Sequence, residues 1–552
     1  MKLLPLLPAT IGLCAALHVP RLGLAAGNNV ERRDGTVKVS FPGGSVVGKA
    51  LQGRDSFNGI PFANPPIGTL RLKPPQKLSA KLNDFDGTGV AAECPQMYGK
   101  QLDKPIGQED CLTLNVERPA GTKAGDRLPV LFWIFGGGFT FGASNLYNAE
   151  NLFATALPQK QPFIFVAVNY RLNGFGFLPG KEILNDGAAN LGLLDQRLGL
   201  EWVADNIAAF GGDPDKVTIW GESAGSISVF DQMLLFGGNA SYNGNPLFRG
   251  AIMNSGSVIP VDPVDCPKGQ AVYDRTVERG GCQGSTDTLE CLRQLPFEKF
   301  YNAVVTEPAV LSYNALALSY LPRPDGKILL QSPDDQGLSG KLFAVPTIIG
   351  DLEDEGSIFA LFQQNLTTPG QVVDYLAERY FTHATKPQLQ ELLDTYEANP
   401  AAGSPFRTGD ANQIYPGFKR LAALLGDMVF TLTRRLTLTL ASVVKPDMPT
   451  WSYLASYKYN TPILGTFHIS DVMEIFYNES PNSSVKNCRT YYFNFLYNQD
   501  PNVGVTGLSQ WPRWADGNKL MWFQENKTDL LADDFRNESA DFLLNNKDIL
   551  KF

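Results

Sequence analysis

KVTIWGESAGSISVFDQMLLF, residues 216–236, carries a G-x-S-x-G pattern at Gly221–Gly225. In a chain of 552 residues, composition alone yields a few tenths of such a match, so the pattern decides nothing without its surroundings. KVTIW (216–220) reads as a short strand, and SISVFDQMLLF reads as a helix that stops at Gly237–Gly238. Ser223 therefore falls on a tight strand-to-helix turn. Gly221 and Gly225 stand where backbones come close and a side chain would clash. Such a turn lifts the serine hydroxyl clear of the sheet and aims the amides of the next helix at the reacting atom. Ser223 is the candidate nucleophile; the alternative is a turn with no chemistry.

The same rhythm extends on both sides. PVLFWIF (129–135), FIFVAVNY (163–170) and GAIMNSG (250–256) read as buried strands. Residues 192–210 place Leu194, Leu198, Trp202, Val203 and Ile207 at helical spacing and end at Gly211–Gly212. AVPTIIG (344–350) and TWSYLAS (450–456) are later strands, separated by helical stretches over 386–398 and 419–444. Strand and helix in alternation predict an α/β fold with a parallel sheet covered on both faces. With no internal repeat and no long linker, residues 27–552 are expected to form one large domain.

Residues 1–26 have the form of a signal peptide. Lys2 precedes the apolar LLPLLPATIGLCAAL, and GLAAG offers small residues for cleavage near Ala26. Pro5, Pro8 and Pro20 interrupt a run too short to span a bilayer, and no later run is long enough, so a secreted, extracellular chain without a transmembrane segment is expected. Loss of Lys2 and Arg21 takes the formal charge from −9 to −11, which argues against nucleic acid as a partner. Sequons at Asn239, Asn365, Asn478, Asn482, Asn526 and Asn537 mark candidate glycosylation sites. Six cysteines remain beyond Cys14, an even number suited to disulfides in an oxidising compartment, with a pairing that spacing does not fix.

A serine nucleophile needs a base. Of the three histidines, His18 leaves with the leader and His383 in YFTHATKP reads as an exposed residue before a helix. His468, in ILGTFHISDV, follows TWSYLAS where a loop at the carboxyl edge of the sheet belongs, and is the candidate base. An acid must orient the imidazole. The loop DLEDEGS after AVPTIIG offers Asp351, Glu353, Asp354 and Glu355 in the chain order serine, acid, histidine. Spacing does not choose among the four, and at least three of them are expected to be solvated turn residues. Gly136–Gly137–Gly138, straight after PVLFWIF, expose amides that can join the Ala224 amide as an oxyanion hole.

These stretches resemble the type-B carboxylesterase/lipase family, which includes cholinesterases and the Candida rugosa-type lipases and sterol esterases. FNGIPFANPPIGTLRLKPP (57–75), EDCLTLNV (109–116), WIFGGGF (133–139), NYRLNGFGFL (169–178) and residues 190–226 match the family pattern. LSYLPRPDGK (318–327) and GTFHISDV (465–472) resemble the Candida rugosa branch. The resemblance covers essentially the whole mature chain. It implies an α/β-hydrolase fold, no cofactor or metal, and a small-molecule or lipid ester as substrate. It assigns the acid to Glu355 of Asp354-Glu355-Gly356-Ser357, the oxyanion donors to Gly137, Gly138 and Ala224, and disulfides to Cys94–Cys111 and Cys282–Cys291. Cys266 and Cys488 have no partner by this resemblance, and a third bridge between them is a guess.

One departure stands out. In the lipase branch the first disulfide loop carries a long amphipathic lid. Here Cys94 and Cys111 enclose only PQMYGKQLDKPIGQED, too short and too broken by proline and glycine for a multi-turn apolar helix. A largely open site with weak interfacial activation is expected. Two alternatives remain beside ester hydrolysis: acyl transfer by the same residues, and a cholinesterase-like adhesion module, which typically lacks a complete triad. Phe139, Phe359 and the aromatic stretch 474–495 are candidates for lining an acyl channel.

Overall fold

The computed structural model describes residues 35–98 and 104–552. The leader expected at 1–26 lies outside the described residues. The framework is one mixed sheet of 13 strands. An antiparallel flank comes first: β1 (Gly35–Phe41), β2 (Gly44–Leu51) and β3 (Arg54–Pro61), with β4 (Leu82–Asp86) added parallel to β2 and β5 (Thr113–Pro119) antiparallel to β3. The centre contains β6 (Leu128–Ile134), β7 (Ile164–Val168) and β8 (Gly212–Glu222). Two-residue strands β9 (Ser241–Tyr242) and β10 (Asn245–Pro246) form a separate hairpin. The sheet then continues through β11 (Gly250–Asn254), β12 (Thr347–Leu352), β13 (Thr450–Ser456), β14 (Lys519–Gln524) and an antiparallel edge, β15 (Thr528–Ala532).

The order β7-β6-β8-β11-β12-β13-β14 is parallel throughout. Parallel strands are covered on both faces and so read as near-continuous apolar runs, which is why IFVAV, GAIMN and TWSYLAS are buried at every position. The helix Ala224–Gly238 packs on β6, β8 and β11, and the helix Ser483–Asn498 packs on β6, β8 and β14. Trp133, Trp220 and Phe476 form an aromatic cluster beneath the serine turn, with Trp220 and Phe476 stacked at 4.9 Å. Most of the 474–495 aromatics belong to this core: Tyr492 meets Trp220, and Tyr491 meets Trp511.

Two helices differ from the sequence reading. The helix after Ser223 is interrupted at Leu235–Gly237, where Phe236 and Gly237 take positive φ. The stretch 419–444 is not one α-helix but Phe418–Gly426 and Leu432–Val444 joined by a π-helical turn, Asp427–Thr431. The wider turn carries Val429 and Phe430 to the wall of a cavity at Ser223.

Candidate active site

β8 ends at Glu222, and Ser223 sits at φ +55°, ψ −125° before the helix begins at Ala224. The two flanking glycines have no room for a side chain. A Cβ on Gly221 would lie 2.3 Å from the Gly225 carbonyl oxygen, and one on Gly225 would lie 2.0 Å from that of Ile134 in β6. The turn is held from below because the Ser223 amide donates to the Asn254 carbonyl at 2.9 Å.

His468 reaches this turn from the loop after β13. Its Nε2 is 2.8 Å from Ser223 Oγ, and its Nδ1 is 2.6 Å from Glu355 Oε2. All three side chains are buried, and the imidazole packs against the rings of Phe359 and Phe430, which also stack on each other. Burial pushes the His468 pKa down, but the Glu355 and Glu222 carboxylates outweigh it, and the pKa lies above its ordinary value.

The four acids at the end of β12 and in the loop after it have four separate partners. Asp351 pairs with Arg434 at 2.6 Å. Glu353 pairs with Arg407 at 2.6 Å. Asp354 accepts from Ser404 Oγ and from the Phe406 and Thr466 amides at 2.8–2.9 Å. Glu355 alone faces the histidine; its other oxygen accepts from the Leu352 amide at 2.7 Å and Ser255 Oγ at 2.5 Å. The expectation of solvated turn residues is therefore corrected. Asp351 and Asp354 are buried and bonded, and Glu353 keeps only 9% of its side chain exposed. His383 is half-exposed, as expected, and bonds Asp262 at 3.0 Å.

Gly137 and Gly138 follow β6 with φ of +106° and +61°, and their loop turns back through Thr140 and Phe141 amides that donate to the Gly137 carbonyl. Among the described residues, no backbone acceptor outside regular secondary structure takes the Gly137, Gly138 or Ala224 amide. Gly138, Ser223 and Ala224 together line one cavity.

Two cavities meet at Ser223. The outer one, of about 460 Å³, holds Gly136–Gly138, Glu222, Phe359 and His468, with Tyr98 and Tyr477 among its further walls. The inner one is narrow and apolar, and Phe139 and Phe430 lie in its wall. Of the aromatics expected to line a channel, Phe139 thus borders the inner cavity and Phe359 the outer.

Three residues outside the sequence reading complete the surroundings. Glu222 Oε1 lies 3.3 Å from His468 Nε2; burial pushes its carboxyl up to about 8. Ser255 supports Glu355, and Asn254 joins the Ser223 amide to the Asp471 carboxylate at 2.8 Å. Glu222 is part of the serine motif itself. Asn254 and Ser255 end a parallel strand beside β8, and ligand and site groups of parallel sheets gather at such carboxyl ends.

A sequence model of the carboxylesterase family matches residues 34–543. The chain belongs to the carboxylesterase family. This carboxylesterase is 58% identical to a secreted triacylglycerol lipase of Gibberella zeae over 94% of its own length and 91% of the relative's. It is 51% identical to a secreted lipase of Botryotinia fuckeliana, with 93% of each chain covered. Lipase 4 of Diutina rugosa is 42% identical, over 91% of this chain and 95% of that one. The crystal structure of Aspergillus niger EstA superposes with a TM-score of 0.81 at 26% identity, covering 94% of this chain and 99% of the other. The protein is thus a secreted carboxylic ester hydrolase of α/β-hydrolase fold. No described helix is long and apolar enough to cross a membrane.

The sulfurs of Cys94 and Cys111 are 2.06 Å apart, as are those of Cys282 and Cys291. Cys266 and Cys488 are free and buried, so the guessed third bridge is not formed. Of the loop between Cys94 and Cys111, residues 95–98 and 104–110 contain no helix, and 99–103 lie outside the described residues. Asn239, Asn365, Asn526 and Asn537 are exposed, while Asn478 and Asn482 are half-buried.

Proposed function

We propose that Ser223, His468 and Glu355 act as a catalytic triad that hydrolyses fatty-acyl esters through an acyl-enzyme. The observation that carries this reading is the hydrogen-bonded line from Ser223 Oγ through both imidazole nitrogens to Glu355, at 2.8 and 2.6 Å. His468 Nε2 takes the serine proton as Oγ attacks the ester carbonyl, and Glu355 stabilises the imidazolium. The oxyanion lies on the Gly137, Gly138 and Ala224 amides. His468 then protonates the departing alcohol. Water, deprotonated by the same nitrogen, releases the acid. Ser223→Ala is expected to lower kcat about a million-fold, leaving what binding and the oxyanion donors supply. Retention of more than a few per cent of activity by the folded variant refutes the role.

The inner cavity is assigned to the acyl chain, because it is apolar and begins at the nucleophile, and the outer one to the alcohol. The names of the two secreted relatives favour lipid esters as substrates. The short Cys94–Cys111 loop favours a site without a long helical lid, so rate against tributyrin concentration should pass the solubility limit without a jump. A jump there overturns the open-site reading. Residues 27–552 are read as one unit, a reading supported by the single continuous sheet from β1 to β15. The six sequons are proposed as glycosylated, with a mass loss on endoglycosidase treatment as the check.

A further inference from the structure

The inner cavity runs along one face of the helix that follows the nucleophile. Ser223, Ile227 and Asp231 all line it, and a spacing of four places them in one stripe. Eight residues at 1.5 Å put Asp231 about 12 Å from Ser223 along the axis. The facing wall is apolar, with Ile259, Val261, Val310, Leu316 and Leu321.

Asp231 does not belong in such a channel on packing grounds. It is 1% exposed, and neither carboxyl oxygen has a hydrogen-bond partner among the described residues. No charged group offsets its burial, which alone pushes its pKa well above the usual carboxylate range. Burial without a compensating charge favours the protonated form, which holds one O–H donor and one carbonyl acceptor. Buried polar groups without partners destabilise a fold, and a leucine would fill the same helix position without that cost. A hydrogen-bonding group that enters the cavity would supply the missing bonds.

We infer that Asp231 is a specificity-determining residue whose carboxyl group recognises a hydroxyl on the acyl chain, so that mid-chain hydroxylated acyl esters are the preferred substrates. The inference rests on the proposed acyl-enzyme at Ser223. A hydroxyl fits because it accepts from the acid O–H and donates to the acid carbonyl; a ketone satisfies only the first. A charged group would be stripped of water by the apolar walls. An extended chain advances about 1.25 Å per carbon, from bonds of about 1.52 Å. Helical side chains lean toward the N-terminus, which shortens the path to about 10 Å. The hydroxyl thus falls near the eighth to tenth carbon.

The test compares kcat/KM for p-nitrophenyl decanoate with its 3-hydroxy and 9-hydroxy forms on the wild-type protein, Asp231→Leu and Asp231→Asn. The wild type should favour the 9-hydroxy over the plain ester by at least tenfold more than Asp231→Leu does, and should show no such gain for the 3-hydroxy ester. Asp231→Asn, which keeps a donor and an acceptor, should retain most of the preference. A ratio equal within twofold in wild type and Asp231→Leu overturns the inference, as expected if the acid merely holds water. Should the leucine variant not fold, equal wild-type preference for the two hydroxyl positions overturns it. Ser223→Ala run on the same esters separates the two readings. Residual activity there refutes the nucleophile, whereas an inactive Ser223→Ala with flat hydroxyl ratios refutes only Asp231.

Discussion

Replacing Glu355 by glutamine tests the orientation of the whole triad. Glu355 Oε1 accepts two hydrogen bonds, from the Leu352 amide and Ser255 Oγ, while Oε2 accepts one from His468 Nδ1. Glutamine has a single carbonyl oxygen. The Leu352 backbone amide can only donate, so the carbonyl settles on that side and the amide NH2 turns toward Nδ1. Nδ1 must then be the acceptor, which moves the imidazole proton to Nε2 and points it at Ser223 Oγ, where a base is needed. The same carboxylate-to-amide change in a serine triad costs about ten-thousandfold in kcat, or about 5 kcal/mol of barrier. Glu355→Gln should show that loss with p-nitrophenyl butyrate at pH 8, with KM nearly unchanged and Tm within a few degrees of wild type. Glu353→Gln is the control: it loses a pair with the half-exposed Arg407 and should keep kcat within about threefold. A folded Glu355→Gln within thirtyfold of wild type refutes the tautomer argument, and an equal loss in Glu353→Gln refutes the choice of acid.

The triad also fixes a pH limb and a steric limit. The base must be neutral, and the folded-state pKa of His468 is raised, so kcat/KM should be full above that pKa and fall tenfold per unit below it. The fall should begin above 6.5, the unperturbed value; an apparent pKa under 6 in the pH profile, with activity recovered on return to pH 8, contradicts the ordering of burial against the Glu355 and Glu222 charges. Gly225→Ala should lower kcat at least a hundredfold and lower Tm, since its Cβ meets the Ile134 carbonyl oxygen at 2.0 Å and only backbone movement relieves the contact. Gly89→Ala, with open space around the added carbon, should match wild type; a Gly225→Ala of normal Tm and kcat removes the reason given for the glycines of the turn.

The framework was legible in the sequence because buried parallel strands and their covering helices write their periodicity locally. β8, β11, β12 and β13 lie where KVTIW, GAIMNSG, AVPTIIG and TWSYLAS place them, within a few residues. The candidate nucleophile was legible for the same reason, since strand, turn and helix are contiguous there. The break at Asp427–Thr431 was not, because a π-turn leaves the apolar spacing of 419–444 almost intact. Asp231 was not legible either. On sequence it is one acid in an apolar helix, and only the cavity and the absent partners distinguish it.

The acids of DLEDEGS show why residue type and spacing stop short of a role. Each is defined by a group far away in the chain: Arg434 for Asp351, Arg407 for Glu353, Ser404 Oγ and the Phe406 and Thr466 amides for Asp354, His468 for Glu355. Two of these contacts act on the geometry of Glu355. Asp351 anchors the end of β12 through an arginine that also binds Asp533 beside β15. Asp354 joins its loop to Thr466, two residues before the histidine, by a side-chain and a backbone hydrogen bond. The acid and the base are thus fixed to each other by neighbours that never touch the ester, so Nδ1 and Oε2 hold their 2.6 Å contact before substrate arrives. Placement of this kind lowers a barrier only if it is set in advance, since a contact assembled during the reaction spends binding energy on ordering. A preorganised triad of the kind proposed here needs such neighbours, and Asp351 and Asp354 are part of how Glu355 would work.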